Sequence, residues 1–304
     1  MSGAGRGGPG EIARRFEQSG FICSPDVATS LHLSDVLNKP LLLEGPPGVG
    51  KTEIAKLWAA YHEAGLIRLQ CYEGLDEAKA LYEWSYGKQM LYAQLLREKV
   101  GDVLAGAPDL RSSLGALRGQ ADEFFSRDFL LPRPLLAAIT SDRPAVLLVD
   151  EVDRSDEEFE AFLLEVLSDH QVSIPELGTV RAKHPPRVIL TSNDTRELSD
   201  ALRRRCLYLY VDFPSFDDEM RIVAARVPGL SEELARRVVA FVQGLRKTDL
   251  RRAPGIAEVV DWARALAALG ASGLDAGTLK QTLGALLKSH DDIERVLSAP
   301  PRSR

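Results

Sequence analysis

The sequence predicts an α/β protein: a parallel sheet covered by helices on both faces, followed by a smaller all-α domain. Three observations lead there. The apolar runs Leu41–Leu43 and Ala145–Val149 are continuous rather than alternating, as in strands buried on both faces of a parallel sheet. Strand-like segments alternate with helical ones as far as about residue 211. From about Ser215 onward the strand signals stop and only helical periodicity remains.

Residues 1–19 read as a Gly-rich disordered tail and lead-in. Gly20 to Leu37 carries Phe21, Val27, Leu31, Leu33 and Val36 at helical spacing and leads into the Leu41 strand. Glu53–Trp58 reads as a helix and Leu66–Cys71 as the next strand. A long helical region is expected from about Asp76 to Arg118, where Ala, Leu, Glu and Lys dominate. The apolar stretches Phe129–Leu131 and Pro134–Leu136 precede the Ala145–Val149 strand, and Arg187–Thr191 and Tyr208–Val211 are further strands. Four helices follow, over Glu219–Val227, Ser231–Leu245, Ile256–Leu269 and Ala276–Leu287. Pro214 marks the boundary, giving an α/β domain over 20–213 and a helical domain over 214–304.

Composition narrows the function classes. A chain of 304 residues is long enough for about two cores, and 45% hydrophobic with 27% charged residues is ordinary for a globular protein. The longest apolar runs fall well short of the roughly 20 residues needed to span a bilayer, and no signal peptide is legible. The cysteines Cys23, Cys71 and Cys206 are odd in number and widely spaced, which suits buried thiols in a reducing compartment; the cytosol is the expected location. The five histidines are scattered, so no protein-held metal cluster is expected. A net charge of −6 argues against a nucleic-acid partner, since such surfaces carry a basic stripe.

The chemistry is concentrated in Gly45-Pro46-Pro47-Gly48-Val49-Gly50-Lys51-Thr52, with Glu53 opening the helix behind it. A G-x-x-x-x-G-K-[ST] pattern between a strand and a helix is a phosphate-binding loop; a plain Gly/Pro turn is the duller alternative. Glycines let backbone N–H groups and the helix N-terminus face phosphate oxygens. Lys51 is expected on the β- and γ-phosphates of ATP, and the Thr52 hydroxyl in the Mg²⁺ shell. The second element is Val146–Val149 followed by Asp150 and Glu151. Asp150, at the carboxyl end of a strand, is expected to complete the Mg²⁺ shell, and Glu151 to orient or deprotonate the attacking water. Asp153, Asp156, Glu157 and Glu158 continue the acidic run, so simple helix capping is the competing reading, and for the later acids the better one. Asn193, ending the Arg187–Thr191 strand region, is placed to hydrogen-bond the γ-phosphate or the water, unless it merely caps the next helix. Arg203, Arg204 and Arg205 either solvate a surface or supply an arginine finger to a neighbouring subunit; Arg205 is the first choice and Arg204 the second. A finger acting in trans requires a head-to-tail interface, which closes into a ring when the rotation permits.

In this order the elements resemble those of the AAA+ ATPases: Walker A at Gly45–Thr52, Walker B at Val146–Glu151, sensor 1 at Asn193 and a finger at Arg205. More narrowly, the chain is similar to the MoxR family and its CoxD-type branch. The stretches Leu69–Gly74, Leu81–Trp84, Asp150–Arg154, Glu158–Glu165, Ile174–Thr179 and Arg204–Tyr208 carry that likeness. The resemblance implies a hexameric ring, a helical lid, a helix-2 insert at Tyr72–Tyr92 and a hairpin at Val172–Val180. It also implies an ATP-driven, chaperone-like remodeller that helps mature a metalloenzyme of the carbon monoxide dehydrogenase type, with a von Willebrand factor A (VWA) domain protein as partner. The aromatics Tyr82, Trp84, Tyr86 and Tyr92 would grip a client or simply pack a core. A helical extension is expected around Glu98–Phe125. One departure stands out: Gly255 occupies the position at which the family's lid presents its sensor 2 arginine, with Arg251 and Arg252 nearby. The competing functional class is a DNA-acting AAA+ motor or loader, suggested by Arg203–Arg205 and Arg251–Arg252.

Overall fold

The computed structural model describes residues 7–92, 94, 127–174 and 177–298. In chain order the elements are α1 (Pro9–Gln18), α2 (Pro25–Leu37), β1 (Leu41–Glu44), α3 (Lys51–Tyr61), β2 (Gly65–Gln70), α4 (Glu77–Leu81), β3 (Tyr82–Trp84), β4 (Leu130–Pro132), α5 (Pro134–Ile139) and β5 (Ala145–Asp150). There follow α6 (Glu157–Asp169), β6 (Gln171–Ile174), β7 (Gly178–Arg181), β8 (Arg187–Ser192), α7 (Asp200–Arg205) and β9 (Leu207–Tyr210). The chain ends in five helices: α8 (Phe216–Arg226), α9 (Glu232–Leu245), α10 (Ile256–Ala268), α11 (Ala276–Leu286) and α12 (His290–Ser298).

The main sheet has the order β2-β5-β8-β1-β9, and the β1/β9, β2/β5 and β5/β8 pairs are parallel. The two most apolar strand sequences lie inside that order: all of β1 and β5 are buried. This is the burial that their unbroken apolar runs demand. Two antiparallel two-stranded sheets are separate from it, β3/β4 and the hairpin β6/β7. The second covers the expected Val172–Val180 hairpin. Side-chain caps start seven of the twelve labelled helices: Ser24, Asp76, Asp156, Ser199, Ser215, Ser231 and Asp275 each accept a backbone N–H of the following turn.

The chain divides into two compact units. One comprises Met1–Tyr61, Thr191–Asp194 and Leu207–Arg304, and the other His62–Leu190 and Thr195–Cys206. The expected boundary at Pro214 is not where this division falls, because the helices after it share a unit with the phosphate loop. Within the first unit, α8 to α12 enclose their own core around Val223, Val238, Val242, Trp262 and Leu283. The indole N–H of Trp262 donates to Thr282 Oγ1 at 2.9 Å, so its one polar atom is satisfied inside that core.

Two local expectations are corrected. The tail expected over 1–19 contains helix α1, with Pro9 at its start and Ile12 and Phe16 buried on one face. A four-residue apolar spacing after a proline is a helix signal that the glycine content obscured. The helix expected from Asp76 to Arg118 is broken at Tyr82–Trp84, which pairs as a strand with Leu130–Pro132, a partner some fifty residues further on. Residues 86–92 are helical again, and the extension expected at Glu98–Phe125 lies outside the described residues.

Candidate functional site

The phosphate loop leaves β1 and runs into α3, as its flanking sequence requires. Gly45, Gly48 and Gly50 all have positive φ (153°, 82° and 100°), a conformation that glycine adopts without strain and that phosphate-binding loops use. Lys51 is buried, and its ammonium donates to the carbonyl oxygens of Gly45 at 2.6 Å and Pro46 at 2.8 Å. Those carbonyls are neutral acceptors, weaker partners for an ammonium than a phosphate oxygen. Thr52 and Glu53 follow in the first turn of α3 and are partly buried. The N–H of Gly45 donates to the carbonyl of Ser192 at 3.3 Å, which places the end of β8, and so Asn193, beside the start of the loop. Asn193 does not cap the next helix; Ser199 does.

Helix α10 begins against the same loop. Ile256 N–H donates to the carbonyl of Gly48 at 3.0 Å. A Cβ at Gly255 would lie 2.8 Å from the Gly48 Cα and 3.0 Å from its carbonyl oxygen, backbone against backbone. The glycine at the sensor 2 position is therefore a packing requirement: no side chain fits between α10 and the loop. Arg251 pairs at the surface with Asp291 at 2.9 Å. The turn before Gly255 is pinned from behind. Arg246 donates to the carbonyl of Pro254 at 3.0 Å and makes a buried two-point pair with Glu219 at 2.8 Å on each arm.

The second cluster lies where β5 ends. Asp150 is the last residue of the strand and is buried. Glu151 then takes a left-handed conformation, φ 56° and ψ 51°, an uncommon state for a non-glycine residue that recurs at functional turns. Its Oε2 accepts from Gln70 Nε2 at 3.0 Å and lies 3.1 Å from Arg154 Nε. Asp150 Oδ2 accepts from Arg68 Nε at 2.9 Å. Arg68 and Gln70 were missed in the sequence because they sit in an unremarkable strand. Their role comes from the register that pairs Gln70 with Asp150 across β2 and β5.

The acidic run after Glu151 splits as its burial dictates. Asp156 caps α6 and Glu157 and Glu158 are exposed in its first turn, so these are a helix start. Asp153 is different: buried, it accepts from both the N–H and the hydroxyl of Thr195. Arg204 and Arg205 end α7 with exposed side chains, while Arg203 is half-buried. Of the aromatics, Trp84 is buried and in edge contact with Tyr82, and Tyr92 stacks edge-on with Phe129 at 5.1 Å. Tyr86 is largely exposed. Cys71 sits beside Asp150, with its thiol pushed up to about 12, first by burial and then by the carboxylates of Asp150, Asp153 and Glu151. That thiol is an apolar filler rather than a nucleophile or ligand. Cys206 is half-buried rather than buried. No described helix is long and apolar enough to cross a membrane.

The family model of the AAA domain, dynein-related subfamily, matches residues 40–206, more than half of the chain. The gas vesicle ATPase GvpN of Haloferax mediterranei is 25% identical over 256 residues, covering 80% of this chain and 68% of that protein. Among solved structures, the RuvB Holliday junction branch migration motor of Thermotoga maritima is similar over 91% of this chain and 69% of its own, with 16% identity and a TM-score of 0.47. A point variant of the same protein matches 91% of this chain and 70% of its own, with 15% identity and a TM-score of 0.48.

Proposed function

We propose, from the premise that the chain belongs to the dynein-related subfamily of AAA domains, that its ATPase activity drives the remodelling of a protein partner. As an AAA ATPase it uses ATP with Mg²⁺. Two observations, each within its own unit, carry the reading: a glycine-lined loop around a buried lysine, and a buried strand-end Asp150 followed by the left-handed Glu151 turn. The residues suit the ligand. A glycine-lined loop and a buried ammonium fit phosphate, and a hydroxyl with a carboxylate fits a hard cation. Thr52 and Asp150 would hold Mg²⁺, which when bound neutralises charge on the phosphate oxygens.

In this reading Gly45 to Glu53 bind the phosphates, Lys51 takes the terminal ones, and Glu151 accepts a proton from the attacking water. Asn193 orients that water. Arg205, with Arg204 as the alternative, extends to the nucleotide of a neighbouring copy; rings are the usual assembly of AAA+ ATPases, and a hexamer is proposed here. The exposed residues Tyr86, Met90 and Tyr92 then offer a surface for a client.

The finer reading is membership of the MoxR family and its CoxD-type branch. The client would be a metalloenzyme of the carbon monoxide dehydrogenase type under maturation, and the partner a VWA-domain protein. Support comes from the motif stretches Leu69–Gly74 and Asp150–Arg154 and from a net charge of −6, which suits a protein client better than a nucleic acid. Co-purification of the Glu151→Gln variant from its native host in ATP tests it. Recovery of a VWA-domain protein and a metalloenzyme supports the reading; recovery of DNA with salt-sensitive binding overturns it.

A further inference from the structure

The Asp150 carboxylate already holds a cation of the protein's own. Its Oδ2 accepts from Arg68 Nε at 2.9 Å and lies 2.5 Å from Arg68 Nη2. The same Nη2 donates to Gln70 Oε1 at 2.5 Å, which fixes the guanidinium plane, and Gln70 turns its amide to Glu151 at 3.0 Å. The two partners differ sharply in surroundings: the Asp150 side chain is 3% exposed and that of Arg68 51%. A buried carboxylate needs counter-charge, and a half-exposed side chain with room to swing into solvent contributes here. Among the described residues β2 is the edge strand of the sheet, with no strand on its far side.

We infer that Arg68 is a positioning residue: it holds Asp150 in place of the divalent cation and must leave when that cation arrives with nucleotide. The inference rests on the reading of Asp150 as the Mg²⁺ residue. A second cation on the same carboxylate is repelled by the guanidinium at that distance, so the two compete for it. Arg68 therefore has two effects. It lowers the negative charge that incoming phosphates meet, and it competes with Mg²⁺ for that carboxylate.

The test is binding of a fluorescent ATP analogue to the full-length chain, titrated with MgCl₂, for wild type, Arg68→Met and Arg68→Lys, with the melting temperature measured on each. For Arg68→Met the Mg²⁺ concentration at half-maximal enhancement is expected to fall about three- to tenfold, the scale of a half-exposed, charge-assisted pair. Binding without Mg²⁺ is expected to weaken, and Arg68→Lys to lie between. A wild-type Mg²⁺ midpoint in folded Arg68→Met overturns the inference and leaves the assignment of Asp150 standing. If Asp150→Asn binds the analogue with an unchanged midpoint, the assignment of Asp150 fails, and the role of Arg68 fails with it.

Discussion

Asp153 takes two hydrogen bonds from one residue, Thr195: the backbone N–H at 3.0 Å and the hydroxyl at 2.6 Å. This ties the residue two places after Glu151 to the residue two places after Asn193, so the turn carrying the proposed base and the loop following the proposed sensor share an anchor. Beside it, Arg196 reaches Glu160, which is wholly buried, at 2.6 Å, and the Ser199 N–H donates to the same carboxylate at 2.8 Å. The loop after β8 is thus fastened to the acidic segment at three points.

Thr195→Val removes the hydroxyl bond while keeping the side chain's shape and the backbone bond. Because Asp153 is buried, the expected loss is about 1–3 kcal/mol of unfolding free energy, read by urea denaturation. Thr195→Ser is expected to recover most of it. An unchanged midpoint for Thr195→Val would mean that the hydroxyl bond contributes nothing in solution.

Gly255→Ala is expected to cost about 1–3 kcal/mol, the usual range for forcing atoms into a filled site, because its Cβ meets the Gly48 Cα at 2.8 Å. Nucleotide affinity is expected to fall as well, since the loop must shift. Gly255→Arg, which restores the residue type usual in the resembling family, is expected to be worse rather than better. Melting temperature and ATP-analogue affinity check both. A stable, tighter-binding Gly255→Arg would show that α10 moves off the loop at little cost.

Arg205→Ala is expected to keep nucleotide binding and to lose turnover by about 10³-fold, the scale known for arginine fingers. Mixing Arg205→Ala with Glu151→Gln subunits is expected to restore some turnover, because a mixed interface can combine an intact finger with an intact base. No recovery on mixing would count against Arg205 as the finger.

The parts that were legible in the sequence are those whose chemistry is local. Gly45–Thr52 and the apolar run into Asp150 carry their geometry in consecutive residues, and the all-α end of the chain announces itself by losing strand periodicity. What was not legible depends on register or on distant pairing. Arg68 and Gln70 look like ordinary strand residues until the parallel register sets Gln70 opposite Asp150. Tyr82–Trp84 has a helical composition around it, and only pairing with Leu130–Pro132 makes it a strand. Gly255 read as a missing arginine; the approach of Gly48 turns that absence into a steric requirement.

ATP turnover by Glu151→Gln, measured beside ATP binding and with Lys51→Ala as the binding control, tests the central claim most directly. Glu151→Gln is expected to bind ATP as the wild type does and to hydrolyse it at least about 10²-fold more slowly, the usual contribution of a general base. Lys51→Ala is expected to lose binding. Wild-type turnover in Glu151→Gln, or wild-type affinity in Lys51→Ala, would contradict the account.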